Sequence, residues 1–290
     1  MLHSGTSTFG GVMLGAVISS ILWGVNTVQA VMYFYRFSTD SGAWLLHVLV
    51  VVAWILQGLE LFFLSLESYV SGLRHPFSVH LVAYYPWIGT SWVIIGVVMS
   101  GMVQTFYAWR VYQLSHKIYL MPVLTVLIVL KLGVGIATAV LPIARGMTTW
   151  TIRETQWVPP LWMATDGVLD LTLLVCMCVA LFAQRTGLRS TDRLINRMLR
   201  YCLHTGLLTS TVTIGSAISY WRCGTGTLTI ALNISAFSLY VSAMLANLHT
   251  RSRLREIFQQ DIDKGLSIQL QSVEGSDSFT LTATPVRTTQ

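Results

Sequence analysis

Five ionisable side chains lie inside long apolar stretches of this 290-residue chain. They are two glutamates seven residues apart, one lysine and two aspartates four residues apart, namely Glu60, Glu67, Lys131, Asp166 and Asp170. In a helix, these two spacings place each carboxylate pair on one face. Ionisable groups are costly inside a membrane, so they usually face a bundle interior, where they form ion pairs, bind ligands or relay protons. The five residues are therefore a candidate intramembrane polar cluster.

Lys131 has two interpretations at this stage. It lies roughly 20 Å from the inner end of its predicted helix, at a depth comparable with those of Glu60 and Asp170. In the structural interpretation, Lys131 pairs with one carboxylate and holds two helices together. In the functional interpretation, the cluster lines an outward-facing pocket that binds a ligand or relays a proton. The excess of carboxylates over lysine favours more than one neutral pair, and both interpretations stay open.

Seven apolar stretches must position these side chains. A hydrocarbon core about 30 Å thick takes roughly 20 helical residues to cross, and each stretch is long enough. Only 10% of the residues are charged and 53% are hydrophobic, whereas soluble domains carry about 25% charged residues. We predict an all-α integral membrane bundle of seven transmembrane helices over residues 1–250, with spans at about 9–35, 43–70, 86–112, 118–141, 157–184, 196–221 and 227–248.

The distribution of basic residues predicts the orientation of the bundle. With the N-terminus outside, the outer loops hold four arginines, at 74, 145, 153 and 222, and eleven basic residues fall on the inner side near the spans. That inner set includes Arg110, at the end of the third span. An excess of Lys and Arg on one side marks the cytoplasmic side. We therefore predict the N-terminus outside and the C-terminus inside.

The inner segment before the sixth span is rich in arginine. Thr191 or Asp192 can cap a helix that begins before the membrane. Arg193, Arg197 and Arg200 follow i, i+4, i+7 spacing and share one helical face, with Arg189 just upstream. Such a face suits anionic inner-leaflet lipids. A docking surface for a cytosolic partner would use the same residues and remains the alternative.

The C-terminal segment divides into two parts. Leu254, Ile257, Phe258 and Ile262 form an apolar stripe among basic residues, which predicts an amphipathic inner-leaflet helix at 251–264. Residues 265–290 are rich in Ser, Thr and Gln, which predicts a disordered cytoplasmic tail.

No motif for catalysis, metal binding or a cofactor occurs in the chain. There is no His-x-x-x-His spacing, no Gly-rich phosphate loop and no Gly-x-Ser-x-Gly elbow. The seventh span contains no lysine, which excludes a retinal Schiff base at the usual opsin position. We expect no cofactor, no nucleic acid partner and no enzymatic activity.

Three segments resemble a known group of sequences. They are residues 191–210, which begin Thr-Asp-Arg-Leu-Ile-Asn-Arg-Met, residues 239–251, which begin Leu-Tyr-Val-Ser-Ala-Met-Leu-Ala-Asn-Leu, and residues 106–112. Together they resemble an uncharacterised seven-helix membrane family that is abundant in mushroom-forming fungi. Here His204, Ser242-Ala243 and His249 replace residues of its usual pattern. The resemblance implies a membrane topology and brings no activity, ligand or partner.

Three function classes are compatible with this pattern. The leading hypothesis is a receptor-like or sensory protein, most simply in the plasma membrane, with a small-molecule ligand in the polar cluster and a cytosolic partner. The second is a transporter or proton-coupled carrier that uses the intramembrane carboxylates, and the third is a membrane scaffold. The Ala108-Trp109-Arg110 sequence lacks the acidic residue that precedes Arg in animal receptors, so the similarity to receptors is one of architecture.

Overall fold

The protein folds into a helical bundle. The computed structural model describes residues 2–37, 44–73, 86–115, 120–145, 155–184, 189–224 and 226–249, with side chains from residue 10 onward except at 36–37, 71–73, 86, 189–198 and 201–202. Within these ranges there is no strand, and the predicted all-α class is confirmed for them. The helices are α1 (Leu2–Phe37), α2 (Trp44–Leu73), α3 (Pro86–Ser115), α4 (Leu120–Ala144), α5 (Val158–Ala183), α6 (Arg189–Cys223) and α7 (Thr227–His249).

Six of the described helices, all except α6, are long and apolar enough to cross a membrane. Their outward faces are apolar as well. On α1, exposed side chains recur every three or four residues, at Met13, Val17, Ile21, Val25 and Val28. Soluble proteins rarely expose contiguous apolar surface on this scale. These faces are suited to lipid, and the chain is a multi-pass membrane protein.

Helix α6 is less apolar because it is rich in Ser and Thr. Its hydroxyl groups nevertheless have partners inside the helix, donating to backbone carbonyl oxygens three or four residues earlier from Thr209, Ser210, Thr211, Thr213 and Ser216. Polar groups at membrane depth need such internal partners. The sixth span at 196–221 stays a prediction, and so does the seven-span count.

The N-terminal end of α6 begins before the predicted span. The helix starts at Arg189, seven residues before position 196, so it begins before the predicted span as expected. It already includes Thr191 and Asp192, so neither is its N-cap and that prediction is wrong. Arg200 is exposed, whereas the side chains of Arg189, Arg193 and Arg197 lie outside the described residues. The predicted helix at 251–264 and the predicted tail at 265–290 also lie outside them.

Helix α7 is the central helix of the bundle. In its most apolar segment 67% of the residues are buried, against 28% in α1, α2 and α4. Phe237, Val241, Met244 and Leu245 belong to one core cluster with residues of α1, α2 and α3. Trp162 of α5 joins the same cluster. A helix buried on most sides can carry polar residues toward several neighbours at once.

A glycine sets the closest approach between α3 and α7. A Cβ atom at Gly96 would overlap the ring of Phe237. That ring is 1% exposed and packs against Trp162 with 5.9 Å between ring centroids, so it has no space into which to move. Small residues at such crossings allow helix backbones to approach closely in membranes.

We expect Gly96→Ala to lower the melting temperature of the detergent-solubilised protein. Overpacking of this kind costs about 1–3 kcal/mol. Gly133→Ala is the matched control, because a Cβ at Gly133 meets no atom within 4 Å and alanine favours a helix by up to about 1 kcal/mol over glycine. Equal melting temperatures for the two variants would contradict the close packing of α3 on α7.

Candidate functional site

Lys131 is the centre of a buried polar cluster. It lies on the inward face of α4, in line with Ile128 and Gly135, and its side chain is fully buried. The ammonium group donates to Ser100 Oγ at 2.5 Å and to Gln104 Oε1 at 3.0 Å, and it pairs with Asp166 Oδ1 at 3.1 Å. Three acceptors match the three N–H groups of a lysine. The structure thus identifies Asp166 as the partner of Lys131.

Asp166 and Asp170 share their other donors. The Gln104 amide donates to Asp166 Oδ1 at 2.8 Å and to Asp170 Oδ1 at 3.0 Å. The Tyr240 hydroxyl lies 2.5 Å from Asp170 Oδ2 and 3.2 Å from Asp166 Oδ2. We call Ser100, Gln104, Lys131, Asp166, Asp170 and Tyr240 the Lys131 cluster. It joins α3, α4, α5 and α7, and it contains two carboxylates but one cation.

The two glutamates lie elsewhere, so the five predicted residues do not form one site. Glu67 accepts a hydrogen bond from the Trp92 indole at 2.6 Å. Glu60 is 1% exposed, and neither of its carboxylate oxygens has a hydrogen-bond partner among the described residues. Only Lys131, Asp166 and Asp170 come together as the sequence predicts.

A second polar network links α1, α2 and α7. Asn26 donates to Gln57 Oε1 at 2.9 Å and to the carbonyl oxygen of Ser238 at 3.3 Å, and it accepts from the Ser242 hydroxyl at 2.6 Å. The hydroxyls of Ser19 and Ser238 are 2.8 Å apart. We call these five residues the Asn26 network. Interhelical bonds of this kind contribute about 0.6 kcal/mol each on average.

A cavity of about 50 Å³ opens beside Asp170. Gln104, Tyr107 and Tyr240 lie at its polar end with Asp170, and Leu173, Leu174 and Met177 of α5 form an apolar wall. The α6 side is lined by Thr205, Gly206 and Thr209, and the α7 side also by Ala243 and Asn247. The cavity extends from Asp170 toward the C-terminal end of α5. In the predicted orientation this is the inner side, whereas the sequence places a pocket on the outer side.

A separate cavity of about 290 Å³ lies between α4, α5 and α6, at the end of the bundle that is the outer one in the predicted orientation. Thr138 and Pro142 of α4, Pro159 of α5 and Tyr220 of α6 are among its lining residues. The Tyr220 hydroxyl donates to the carbonyl oxygen of Gln156 at 2.6 Å. None of the five predicted ionisable residues lines this cavity.

Several site residues differ from the sequence interpretation. Arg110, counted among the inner basic residues, is fully buried in α3, so its side chain faces the bundle interior rather than the bundle surface. Gln104, an uncharged residue that is not among the predicted site residues, hydrogen-bonds to Lys131 and to both aspartates. No feature of the sequence identifies Tyr240 as a site residue, apart from its position in the segment 239–251 that resembles the uncharacterised family. The i, i+4 spacing of Ser100 and Gln104 is the pattern that could have identified the α3 side of the cluster.

The Lys131 cluster has the chemistry of a binding site for a charged group. No group of three or more His, Cys, Asp or Glu residues that could hold a metal ion occurs in the described part of the chain. The cluster can hold a cationic group or a proton at its second carboxylate, because Lys131 pairs with Asp166 only.

We expect Lys131→Met to lower the melting temperature strongly, because it leaves the Asp166 carboxylate buried without its cation. Breaking a buried ion pair on one side costs about 3–5 kcal/mol. The double variant Lys131→Met/Asp166→Asn removes both charges and should melt closer to wild type than the single variant does. The opposite outcome is a double variant that is less stable than Lys131→Met by as much as Asp166→Asn alone destabilises wild type. The two effects would then be additive, and the ion pair would contribute no stability.

Comparison with known proteins gives one family match. Residues 166–253 match the profile of a family described as a family of unknown function, DUF6534. The matched region begins at Asp166 and includes Asp170 and Tyr240, but it lies entirely after Lys131. No curated protein and no solved structure matches the chain. From Asp166 to the end of the bundle, the chain is therefore similar to an uncharacterised family whose description assigns no activity.

Proposed function

We propose that this chain is a receptor-like, sensory membrane protein that binds a small, positively charged ligand beside Asp170. The observation that carries the proposal is the division of roles within the aspartate pair. Lys131 neutralises Asp166 at 3.1 Å, while the donors to Asp170 in the cluster, Gln104 and Tyr240, are both neutral. A second buried carboxylate at a cavity wall is suited to a cationic group.

The lining of the cavity describes the rest of the ligand. Polar groups lie at one end, around Asp170, and Leu173, Leu174 and Met177 provide an apolar wall. Few oriented polar groups in a mostly apolar pocket are typical of small-molecule sites. A volume of about 50 Å³ accepts an amine headgroup but no larger body, because one water alone needs about 10–15 Å³ of such space. Binding of a whole ligand therefore requires α5 and α6 to separate.

The contact between α5 and α6 offers a route from ligand to signal. Gly206 of α6 lies against Leu174 of α5, where an added Cβ would come within 2.7 Å of the leucine side chain. Both residues line the cavity. A ligand that enlarges the cavity by separating these two helices would displace α6, which continues to Arg189 at its N-terminal end. Small helix shifts of this kind are a common switching mechanism.

The arginines of α6 are the proposed contact with the inner side of the membrane. Arg189, Arg193, Arg197 and Arg200 would bind anionic lipids of the inner leaflet, in the plasma membrane as the simplest location. A cytosolic partner that docks on the same face is the alternative. The proposal assigns no catalytic reaction to the chain.

A carrier is the second candidate, and one observation favours it. Asp166 and Asp170 share Gln104 and Tyr240 as donors, and two adjacent carboxylates can share a proton. A proton-coupled carrier would load and release its substrate at this pair. In a scaffold, the third class, the cluster would only hold helices together.

The binding proposal predicts that cationic amines stabilise the wild-type protein. In a thermal-shift screen in detergent, we expect saturable stabilisation by at least one amine and its loss in Asp170→Asn, since the amide carries no charge. Glu67→Gln is the matched control, because Glu67 lies outside the cavity and bonds to Trp92.

Two outcomes of this screen contradict the ligand site. If no amine stabilises wild type, or if Asp170→Asn retains the response, the pocket is not the binding site. Uptake of a stabilising amine into proteoliposomes, driven by a proton gradient, would identify a carrier instead of a receptor.

The predicted orientation can be tested at Cys223. This cysteine is exposed at the end of α6 and falls on the outer side if the N-terminus is outside. On intact cells, a membrane-impermeant maleimide should therefore label the wild-type protein but not the Cys223→Ser protein. If the protein is labelled only after the cells are permeabilised, Cys223 faces the cytoplasm and the predicted orientation is wrong.

A further inference from the structure

Glu60 stands apart from the other buried carboxylates that the structure describes. Asp166 has Lys131, Asp170 has Gln104 and Tyr240, and Glu67 has Trp92. Both oxygens of Glu60 are buried and have no hydrogen-bond partner. An ionised carboxylate without a partner is very costly in a low-dielectric interior. A native structure that retains one needs a group that satisfies it.

The neighbours of Glu60 follow from the inward stripe of α2. One turn before it, Gln57 bonds to Asn26 of α1. One turn after it, Leu64 packs with Val12 of α1 and Ile234 of α7. Glu60 lies between these two levels on the same stripe and therefore faces the same two helices.

Neutral oxygen atoms lie at the same depth along the bundle as Glu60. Ser19 lies midway between Val12 and Asn26 on α1, and its hydroxyl bonds to the hydroxyl of Ser238 on α7 at 2.8 Å. Each hydroxyl has two lone pairs, so the pair retains free acceptor capacity after this bond. On α2, the Nε2 group of Gln57 is also buried and without a partner. The acceptors available at the Glu60 level are therefore the Ser19 and Ser238 hydroxyl oxygens, because Gln57 Nε2 is a donor and cannot bind a cation.

No described cation is available to neutralise Glu60. The three N–H groups of Lys131 already have three acceptors. Arg110 is too distant along the bundle. The bond between Trp92 and Glu67 sets the antiparallel register of α2 and α3, which places Arg110 opposite position 49, roughly 16 Å from Glu60 along the axis.

Protonation alone does not satisfy the buried carboxyl group of Glu60. A protonated carboxyl group has an O–H donor, which needs an acceptor when it is buried. No acceptor among the described residues lies within hydrogen-bond distance of either Glu60 oxygen. A bound cation would instead use both carboxylate oxygens and would remove the charge.

We propose that Glu60 is the anionic ligand of a small monovalent cation, sodium, bound between α1, α2 and α7 with the Ser19 and Ser238 hydroxyl oxygens as neutral ligands. One carboxylate neutralises one positive charge. A calcium ion would require six to eight oxygen ligands and commonly several carboxylates. The site is distinct from the Asp170 cavity, and the proposal does not depend on the function proposed above.

The test measures the melting temperature of the full-length protein in detergent against sodium chloride concentration, with potassium chloride holding ionic strength constant. We expect a rise in wild type of about 3 °C at ten times the dissociation constant, which continues with the logarithm of the sodium concentration. Glu60→Gln removes the charge with little change in shape and should show no sodium response. Glu67→Gln should retain the response, because Glu67 has its own donor in Trp92.

Three results would overturn the proposal. A wild-type protein that melts equally in both salts has no sodium site, and Glu60 is then protonated or hydrated. A response that persists in Glu60→Gln places the ion elsewhere, and a rise that follows the total salt concentration rather than the sodium concentration is an ionic-strength effect. If Glu60→Gln fails to fold, binding of radioactive sodium to wild type decides, since the proposal requires one displaceable ion per chain.

Discussion

The burial of one lysine inside the bundle is the constraint on which the rest of the structure depends. A fully buried ammonium group must find acceptors for all three N–H groups, and Lys131 finds them on α3 and α5. Gln104 then has to offer its oxygen to the lysine, so its amide N–H₂ faces the carboxylates of Asp166 and Asp170. The aspartates in turn engage Tyr240 of α7. One buried charge thus sets the orientations of four helices through hydrogen bonds rather than through packing alone.

The same constraint explains why the remaining polar residues lie where they do. In lipid there is no hydrophobic driving force between helices, so polar contacts and close packing hold the bundle together. The hydroxyls of α6 bond to carbonyl oxygens of their own helix and therefore make the helix polar in composition without leaving orphan groups. The Asn26 network serves the other half of the bundle, between α1, α2 and α7. Close contacts such as that between Gly96 and Phe237 complete the packing.

The sequence predicts the helices well because their length and apolarity are local properties. It also identifies Lys131, Asp166 and Asp170 as interior residues, because depth along a helix follows from residue count. It does not identify the partners, since these depend on the rotation of each helix and on which helices are neighbours. Glu60 has the same depth signal as Asp170, yet it faces α1 and α7, whereas Asp170 faces α3 and α7. Tyr240 and Gln104 are missed for the same reason, because neither residue is charged and their importance comes from their neighbours.

Helix α7 connects the two halves of this polar interior. Ser238 and Ser242 face α1 and α2 through Asn26, while Tyr240, two residues from each of them, bonds to the aspartates of α5. Residues two apart on a helix point to different sides, so a single turn of α7 contributes to both networks. The turn has little freedom, since Phe237 and Val241 beside it are almost fully buried. A displacement or rotation of α7 that changes one set of hydrogen bonds would therefore also change the geometry of the other.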